Sequence, residues 1–230
     1  MVKQTIVPPT RILIINPNSD DSMTRLILES ARRCASPDTR VDCVSTPEAP
    51  IFIENYLDEL QCGPGMVDIG RRESGDYDAF IVACHSDVNL DVLREIIDKP
   101  VVGIGQASMH AAAMLGHRFS VIQTTDHSVP MKEDLVRRYG LWEKCASVRA
   151  VVGNSDSLLG AVAEAAQRAV GEDGAEVIVL GCAGLSGLEK EIERRVGVPV
   201  VDGVACAVVL VEGLVRCGLT TSKVRKYRPE

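Results

Sequence analysis

The chain is short of aromatic residues, has no CxxC pair, no long apolar run and no basic block, and each shortage excludes something. Phe, Trp and Tyr make up only 3% of its 230 residues. A core must then be built from Val, Ile, Leu and Ala. The net charge is −7. Phosphate contacts need clustered Lys and Arg, so nucleic acid is not an expected partner. No uninterrupted apolar run reaches the ~18 residues that a membrane span requires, and the opening MVKQTIVPPT does not carry the apolar stretch of a signal peptide. The expectation is a cytoplasmic protein with no membrane partner. The eight cysteines (34, 43, 62, 84, 145, 182, 206 and 217) form no CxxC pair, which argues against a zinc site of the usual spacing. Disulfides are rare in the cytosol. Most of these thiols should therefore be small buried hydrophobes. Cys206, inside Ala205-Cys206-Ala207-Val208-Val209-Leu210, fits that role.

Against those absences stands a regular alternation. Short β-branched runs fall at 11–16, 41–45, 78–83, 100–104, 118–122, 147–152, 176–181 and 199–202. Helix-like runs fall near 20–34, 54–74, 88–98, 106–116, 129–139, 155–171, 186–196 and 204–216. Many of the strands are continuously apolar, as strands buried on both faces of a parallel sheet should be. The pattern predicts an α/β protein.

The chain also repeats itself. Asp78-Ala79-Phe80-Ile81-Val82-Ala83-Cys84 matches Glu176-Val177-Ile178-Val179-Leu180-Gly181-Cys182. Pro100 follows Cys84 by 16 residues and Pro199 follows Cys182 by 17. Val101-Val102-Gly103 and Val200-Val201-Asp202 come next, each before a helix of small residues. Upstream, Arg11-Ile12-Leu13-Ile14-Ile15-Asn16 matches Arg118-Phe119-Ser120-Val121-Ile122-Gln123. The repeat predicts two similar Rossmann-like (flavodoxin-like) lobes with parallel sheets, related by a pseudo-twofold axis. The first would cover 1–105 plus a C-terminal helix at about 216–230 and carry Cys84. The second would cover 106–215 and carry Cys182. Ligands of open α/β sheets bind beyond the carboxyl ends of the strands, so both thiols should face the cleft between the lobes.

Two facing thiols suit racemisation at a carbon acid. One base takes a proton from one face of the stereocentre, and a conjugate acid returns one on the other. Each cysteine directly precedes an expected helix, whose free N–H groups and dipole would favour a thiolate and hold an enolate oxygen. The chemistry calls for no metal, pyridoxal or nucleotide, and no P-loop or GxGxxG fingerprint is present.

Three stretches carry a resemblance: Ile15-Asn16-Pro17-Asn18-Ser19 followed by Met23-Thr24, then Ala83-Cys84, then Gly181-Cys182-Ala183-Gly184. In this order they resemble the aspartate/glutamate/hydantoin racemase superfamily, and within it the hydantoin and allantoin racemase branch, over nearly the whole chain. The resemblance implies two Rossmann-like lobes, cofactor-independent racemisation by two cysteines, a small-molecule substrate and a homo-oligomer. Cys84 and Cys182 fall on the catalytic positions. Hydantoin racemases follow the first cysteine with an aromatic residue, glycine and Asp-Pro, where this chain has His85-Ser86-Asp87-Val88. Amino-acid racemases have Cys-Asn-Thr and Cys-Thr-His, where this chain has Cys84-His85-Ser86 and Cys182-Ala183-Gly184. Loss of those polar groups argues against a free amino acid, and Ala183 and Gly184 leave room for a flat ring.

Other residues around these stretches are candidate substrate contacts. Asn16 would orient a carbonyl or amide, or act as a turn residue that caps the helix starting near Asp20. Ser86 would bond substrate or cap the helix near Val88. Thr124 and Thr125 occupy the second-lobe loop equivalent to the one after Asn16. His85 is a possible base. Asp87 reads as a first-turn charge, and Ser128 as a cap for a helix opened by Pro130. Pro47-Glu48-Ala49-Pro50 reads as a solvated turn or a loop over the site. The leading expectation is a racemase of 5-substituted hydantoins or allantoin. The alternatives are an amino-acid racemase, a maleate-type isomerase or decarboxylase of the same superfamily, or a non-catalytic two-lobe binding protein.

Overall fold

A computed structural model of the chain describes residues 9–151 and 157–229. Its first half runs β1 (Thr10–Asn16), α1 (Asp21–Cys34), β2 (Thr39–Ser45), α2 (Tyr56–Glu73), β3 (Ala79–Val82), α3 (Leu90–Ile96), β4 (Val101–Gly103) and α4 (Ile104–Leu115). The second half repeats the order with β5 (Phe119–Gln123), α5 (Ser128–Arg138), β6 (Cys145–Ala150), α6 (Leu158–Asp173), β7 (Val177–Leu180), α7 (Glu189–Val196), β8 (Val200–Val201) and α8 (Gly203–Arg216). The end of the strand expected over 147–152 and the start of the helix expected over 155–171 touch residues 152–156, outside the described residues.

The strands form two all-parallel sheets, ordered β2-β1-β3-β4 and β6-β5-β7-β8. In each, β-branched side chains point alternately to two buried faces, so the inner strands read as unbroken apolar runs. Asn16 ends β1 beside Ala83, and Gln123 ends β5 beside Gly181, one step beyond the last paired residues Ile15–Val82 and Ile122–Leu180. Each sheet reverses its winding between these two strands, which opens a crevice at their carboxyl ends.

The layers trade helices. One face of the first sheet buries Ile12, Ile14, Ala79 and Ile81 under Ile27 and Ala31 of α1 and Val204, Ala207, Val208 and Val211 of α8. One face of the second buries Phe119, Val121, Val177 and Val179 under Leu135 and Val136 of α5 and Met109 and Ala112 of α4. The helix after β4 thus covers the second sheet, and the helix after β8 covers the first. The outer faces are closed by α2 and α3, and by α6 and α7. At about 25 cal/mol per Å² of apolar surface removed from water, each exchanged helix ties one lobe to the other.

The helix expected at about 216–230 is absent. α8 ends at Arg216, Gly218 takes a positive φ of 67°, and residues 219–229 are irregular. The stretch Thr220-Thr221-Ser222-Lys223 has no apolar period to pack. The tail instead lies on the first lobe through hydrogen bonds. Thr221 donates to the Lys99 carbonyl at 2.8 Å, and Lys223 Nζ donates to the carbonyls of Arg94, Glu95 and Ile97 at 2.6, 2.8 and 2.9 Å. Asp91 of α3 accepts from Lys226 and Tyr227 at 2.8 and 2.7 Å, and from Arg138 of α5. Among the described residues, no helix is long and apolar enough to cross a membrane.

Candidate active site

Cys84 lies two residues beyond β3 and Cys182 two residues beyond β7, at the same place in the two sheets. Both line one cavity of about 100 Å³ between the lobes. Asn16, Ser86, Thr124, Thr125, Ala183 and His85 line it with them. Gly184 stands just behind the wall, and its N–H points at Cys182 Sγ from 3.4 Å. The Ser86 backbone N–H likewise favours the Cys84 thiolate. Each thiol therefore has one backbone donor, two residues further along the chain.

That donor is not a helix N-terminus, contrary to the sequence expectation. A turn separates Cys84 from α3, and a single 3-10 turn over Ala183–Leu185 separates Cys182 from α7. The sulfurs thus lack the favourable helix dipole. Burial pushes the Cys84 thiol up to about 12, against the Ser86 N–H and the nearby Lys132 ammonium, which both favour its thiolate. Burial likewise raises Cys182, opposed by the Gly184 N–H and Lys132. A charge on either sulfur would disfavour one on the other.

Asn16 is fully buried. Its amide nitrogen donates to Asn18 Oδ1 at 2.7 Å and Thr24 Oγ1 at 2.9 Å. It holds the loop after β1 in shape and does not cap α1. Asp20 does that, accepting from Ser22 N at 2.7 Å and Met23 N at 3.2 Å. Gln123, the second-lobe counterpart, also lines the cavity, and its amide nitrogen is buried with no partner. A buried donor without an acceptor is rare, which makes Gln123 a better-placed contact than Asn16. The sequence signal was the shared amide at the ends of the two matched strands.

Ser86 does not cap α3, whose N-cap position is Asn89 with no side-chain bond. Asp87 is not a first-turn charge of that helix. Held at a positive φ of 51° and buried, it reaches across to the start of α4. It accepts from Gly105 N at 2.9 Å, Gln106 N at 2.6 Å and Tyr139 Oη at 2.5 Å. His85 is 2% exposed, with Nε2 at 3.0 Å from Ser108 Oγ and Nδ1 unpartnered. Burial and the Lys132 charge hold its pKa well below the ordinary value, so the ring is neutral and ill suited to carry a proton.

Other lining residues come from the loop after β2 and from the first turns of α1 and α5. Phe52, Ile53 and Glu54 edge the cavity immediately after the Pro47–Pro50 stretch, which itself stays off the wall. Ser128 lines it from the first turn of α5, bonded to Thr125 and Gln123 rather than capping. Met23 and Met131 complete its apolar side. Among the described residues no Lys or Arg lines the cavity, and Glu54 is its one acidic side chain. Among the described residues, no group of three His, Cys, Asp or Glu side chains is placed to hold a metal ion.

Two sheets with matched winding and one thiol at the end of each third strand define a class of two-lobe α/β proteins with a shared central site. The family model for Asp/Glu/Hydantoin racemase matches residues 12–211, and the chain belongs to that family. It is 42% identical over 228 residues to a hydantoin racemase of Rhizobium meliloti, covering 94% of this chain and 93% of that one. Among solved structures, allantoin racemase of Pseudomonas fluorescens superposes with a TM-score of 0.91 at 38% identity, covering 96% of this chain and 97% of that one. Allantoin racemase of Klebsiella pneumoniae gives the same TM-score at 34% identity, covering 96% and 94%.

Proposed function

We propose that this chain racemises 5-substituted hydantoins or the related ureide allantoin, with Cys84 and Cys182 as its two bases. The observation that carries the reading is that two thiols at equivalent strand ends line one cavity. Relatives over nearly the whole chain bear the names hydantoin racemase and allantoin racemase, which supports the substrate class. In this mechanism one cysteine, as thiolate, removes the proton at C5. The electron pair moves onto the neighbouring carbonyl oxygen. The other cysteine, as thiol, returns a proton to the opposite face. Gln123 Nε2 and Ser86 Oγ are the donors best placed along the wall for the ring's carbonyls. Thr124, Thr125 and Ala183 bound the ring, and Phe52, Ile53, Met23 and Met131 receive the substituent.

A wall to which the described residues contribute no Lys or Arg suits a neutral ring better than the carboxylates of a free amino acid or of maleate. The chemistry needs no cofactor, since the carbonyl is the electron acceptor. We assign the site to two lobes, 1–105 and 106–215, with α8 and the tail lying on the first. A cytoplasmic location is consistent with eight free cysteines. Exposed Met114, Val209 and Leu210 on α4 and α8 are compatible with a homo-oligomer. The test is proton NMR in deuterated buffer. Exchange at C5 of hydantoins or allantoin, with loss of optical rotation, is expected. Exchange confined to aspartate or glutamate, or binding with no exchange, would overturn the reading.

A further inference from the structure

Among the described residues, Lys132 is the one buried ammonium, and its surroundings offer it no ion pair. It sits on α5 at 2% exposure, and its Nζ donates to the backbone carbonyl of His85, the residue after Cys84. Among the described residues it has no carboxylate within 4.0 Å. Asp87 is already taken by Gly105, Gln106 and Tyr139. Among the described residues, Glu59 of α2 and Glu54 at the cavity edge are the other charged groups near the thiols and the ammonium. A buried cation is costly unless something negative stands nearby. The groups within its electrostatic reach that gain charge during turnover are Cys84 and Cys182.

We propose that Lys132 is a positioning residue that serves as the fixed counter-charge for the single negative charge passed between Cys84 and Cys182. The proposal rests on the two-thiol reading of the site. In the racemisation step the charge starts on one sulfur. It moves to the substrate when the proton is taken, and to the other sulfur when a proton is returned. The total stays at minus one throughout. A cation held between the lobes, reaching across from α5 to the turn after β3, therefore attracts the charge in every state. A cation at one sulfur alone would trap the charge there. Burial raises both thiols, and the Lys132 charge opposes that rise at both.

The test separates charge from scaffolding. Lys132→Gln keeps a donor for the His85 carbonyl and removes the charge, and Lys132→Arg keeps the charge. Alkylation of Cys84 and Cys182 by neutral iodoacetamide is followed peptide by peptide with mass spectrometry between pH 6 and 9, on protein shown to be folded by circular dichroism. Lys132→Gln is expected to slow both cysteines about tenfold at pH 8, a shift of about one unit in each profile, while Lys132→Arg stays closer to wild type. kcat for racemisation should fall in step, with KM little changed. Profiles that superimpose on wild type, or a shift at one cysteine alone, would overturn the proposal. If Lys132→Gln does not fold, the wild type decides. Anionic iodoacetate should gain on iodoacetamide at Cys84 and Cys182 relative to exposed Cys34, and equal ratios would overturn the idea. Failure of the underlying reading looks different, because Cys84→Ser and Cys182→Ser would then still racemise.

Discussion

In the first lobe the residue after Val101-Val102 is Gly103, and in the second the residue after Val200-Val201 is Asp202. Their backbones are nearly the same, with φ/ψ of −91°/143° and −88°/125°. Asp202 caps its own helix, accepting from Val204 N at 2.7 Å and Ala205 N at 3.4 Å. At Gly103 the matching N–H groups, Gly105 and Gln106, are met by Asp87 from the loop after Cys84. A Cβ at Gly103 would collide with that carboxylate. A second exchange lies closer to the cavity. Asn16 stands beside Ala83, whereas the longer Gln123 stands beside Gly181, where a Cβ would meet the Gln123 amide and lie 2.7 Å from the Ile122 carbonyl. The lobes keep the same volumes and charges at matched places and draw them from different residues. Both caps double as joints between the lobes: Asp87 also accepts from Tyr139 of the second lobe, and Asp202 accepts from Ser30 of α1 in the first as well as from its own lobe's Ser186.

The strongest test of lobe equivalence is chemical. Cys84→Ser and Cys182→Ser should each lose racemisation by at least about a thousandfold, since one general base or acid contributes roughly 10²–10⁴. Each should retain deuterium exchange, one variant into only the L-hydantoin and the other into only the D-form, as read by NMR on resolved enantiomers. Exchange of the same hand by both would break the two-face assignment.

The carboxylate exchange predicts the next largest effect. Gly103→Ala should displace Asp87 and cost about 3 kcal/mol in urea unfolding, combining a lost cap with a clash in a packed site. Gly103→Asp together with Asp87→Ser copies the second lobe's arrangement and should recover at least half of that. If the double variant is no better than Gly103→Ala, the two caps are not interchangeable. Gly181→Ala should likewise be destabilised by about 2 kcal/mol and be relieved only in part by Gln123→Asn, because the close approach to the Ile122 carbonyl remains.

pH sharpens the comparison of the two thiols. Both lie above the ordinary cysteine range because of burial. Below such a value the thiolate fraction grows with pH. Residual exchange in each serine variant should therefore rise about tenfold per unit from pH 6 to pH 8. A flat profile in one variant would mean that its remaining thiol is already ionised and that the lobes differ in charge. The smallest effect belongs to the tail. Asp91→Asn weakens bonds to Lys226, Tyr227 and Arg138 at a partly exposed site and should cost less than about 1 kcal/mol.

Much of this was legible in the sequence because it is written in local pattern. The β-branched runs, the prolines opening β4 and β8, and the repeat around Cys84 and Cys182 gave the elements and the pair of thiols. The residues missed are those whose partners are remote in sequence. Asp87 reads as a helix-start acid until α4 is brought beside it. Lys132 carries no local signal in the sequence, because its partner is the His85 carbonyl 47 residues away. The tail reads as helix only by extension from α8, and Gly218 ends it. Phe52 and Ile53 enter the cavity wall from the loop between β2 and α2, which carries no periodic pattern.

The exchange of α4 and α8 has a consequence for how the chain is made. When β1 to β4 have left the ribosome, one face of their sheet has α1 but lacks Val204, Ala207, Val208 and Val211. That cover arrives only after the whole second half has been synthesised, and Ser30 and Ser36 wait equally long for Asp202 and Glu212. The first lobe to be synthesised is thus the last to be completed. Its exposed apolar face persists through roughly a hundred further residues, about 5–20 s at ordinary elongation rates, an interval in which a nascent chain has most need of a chaperone.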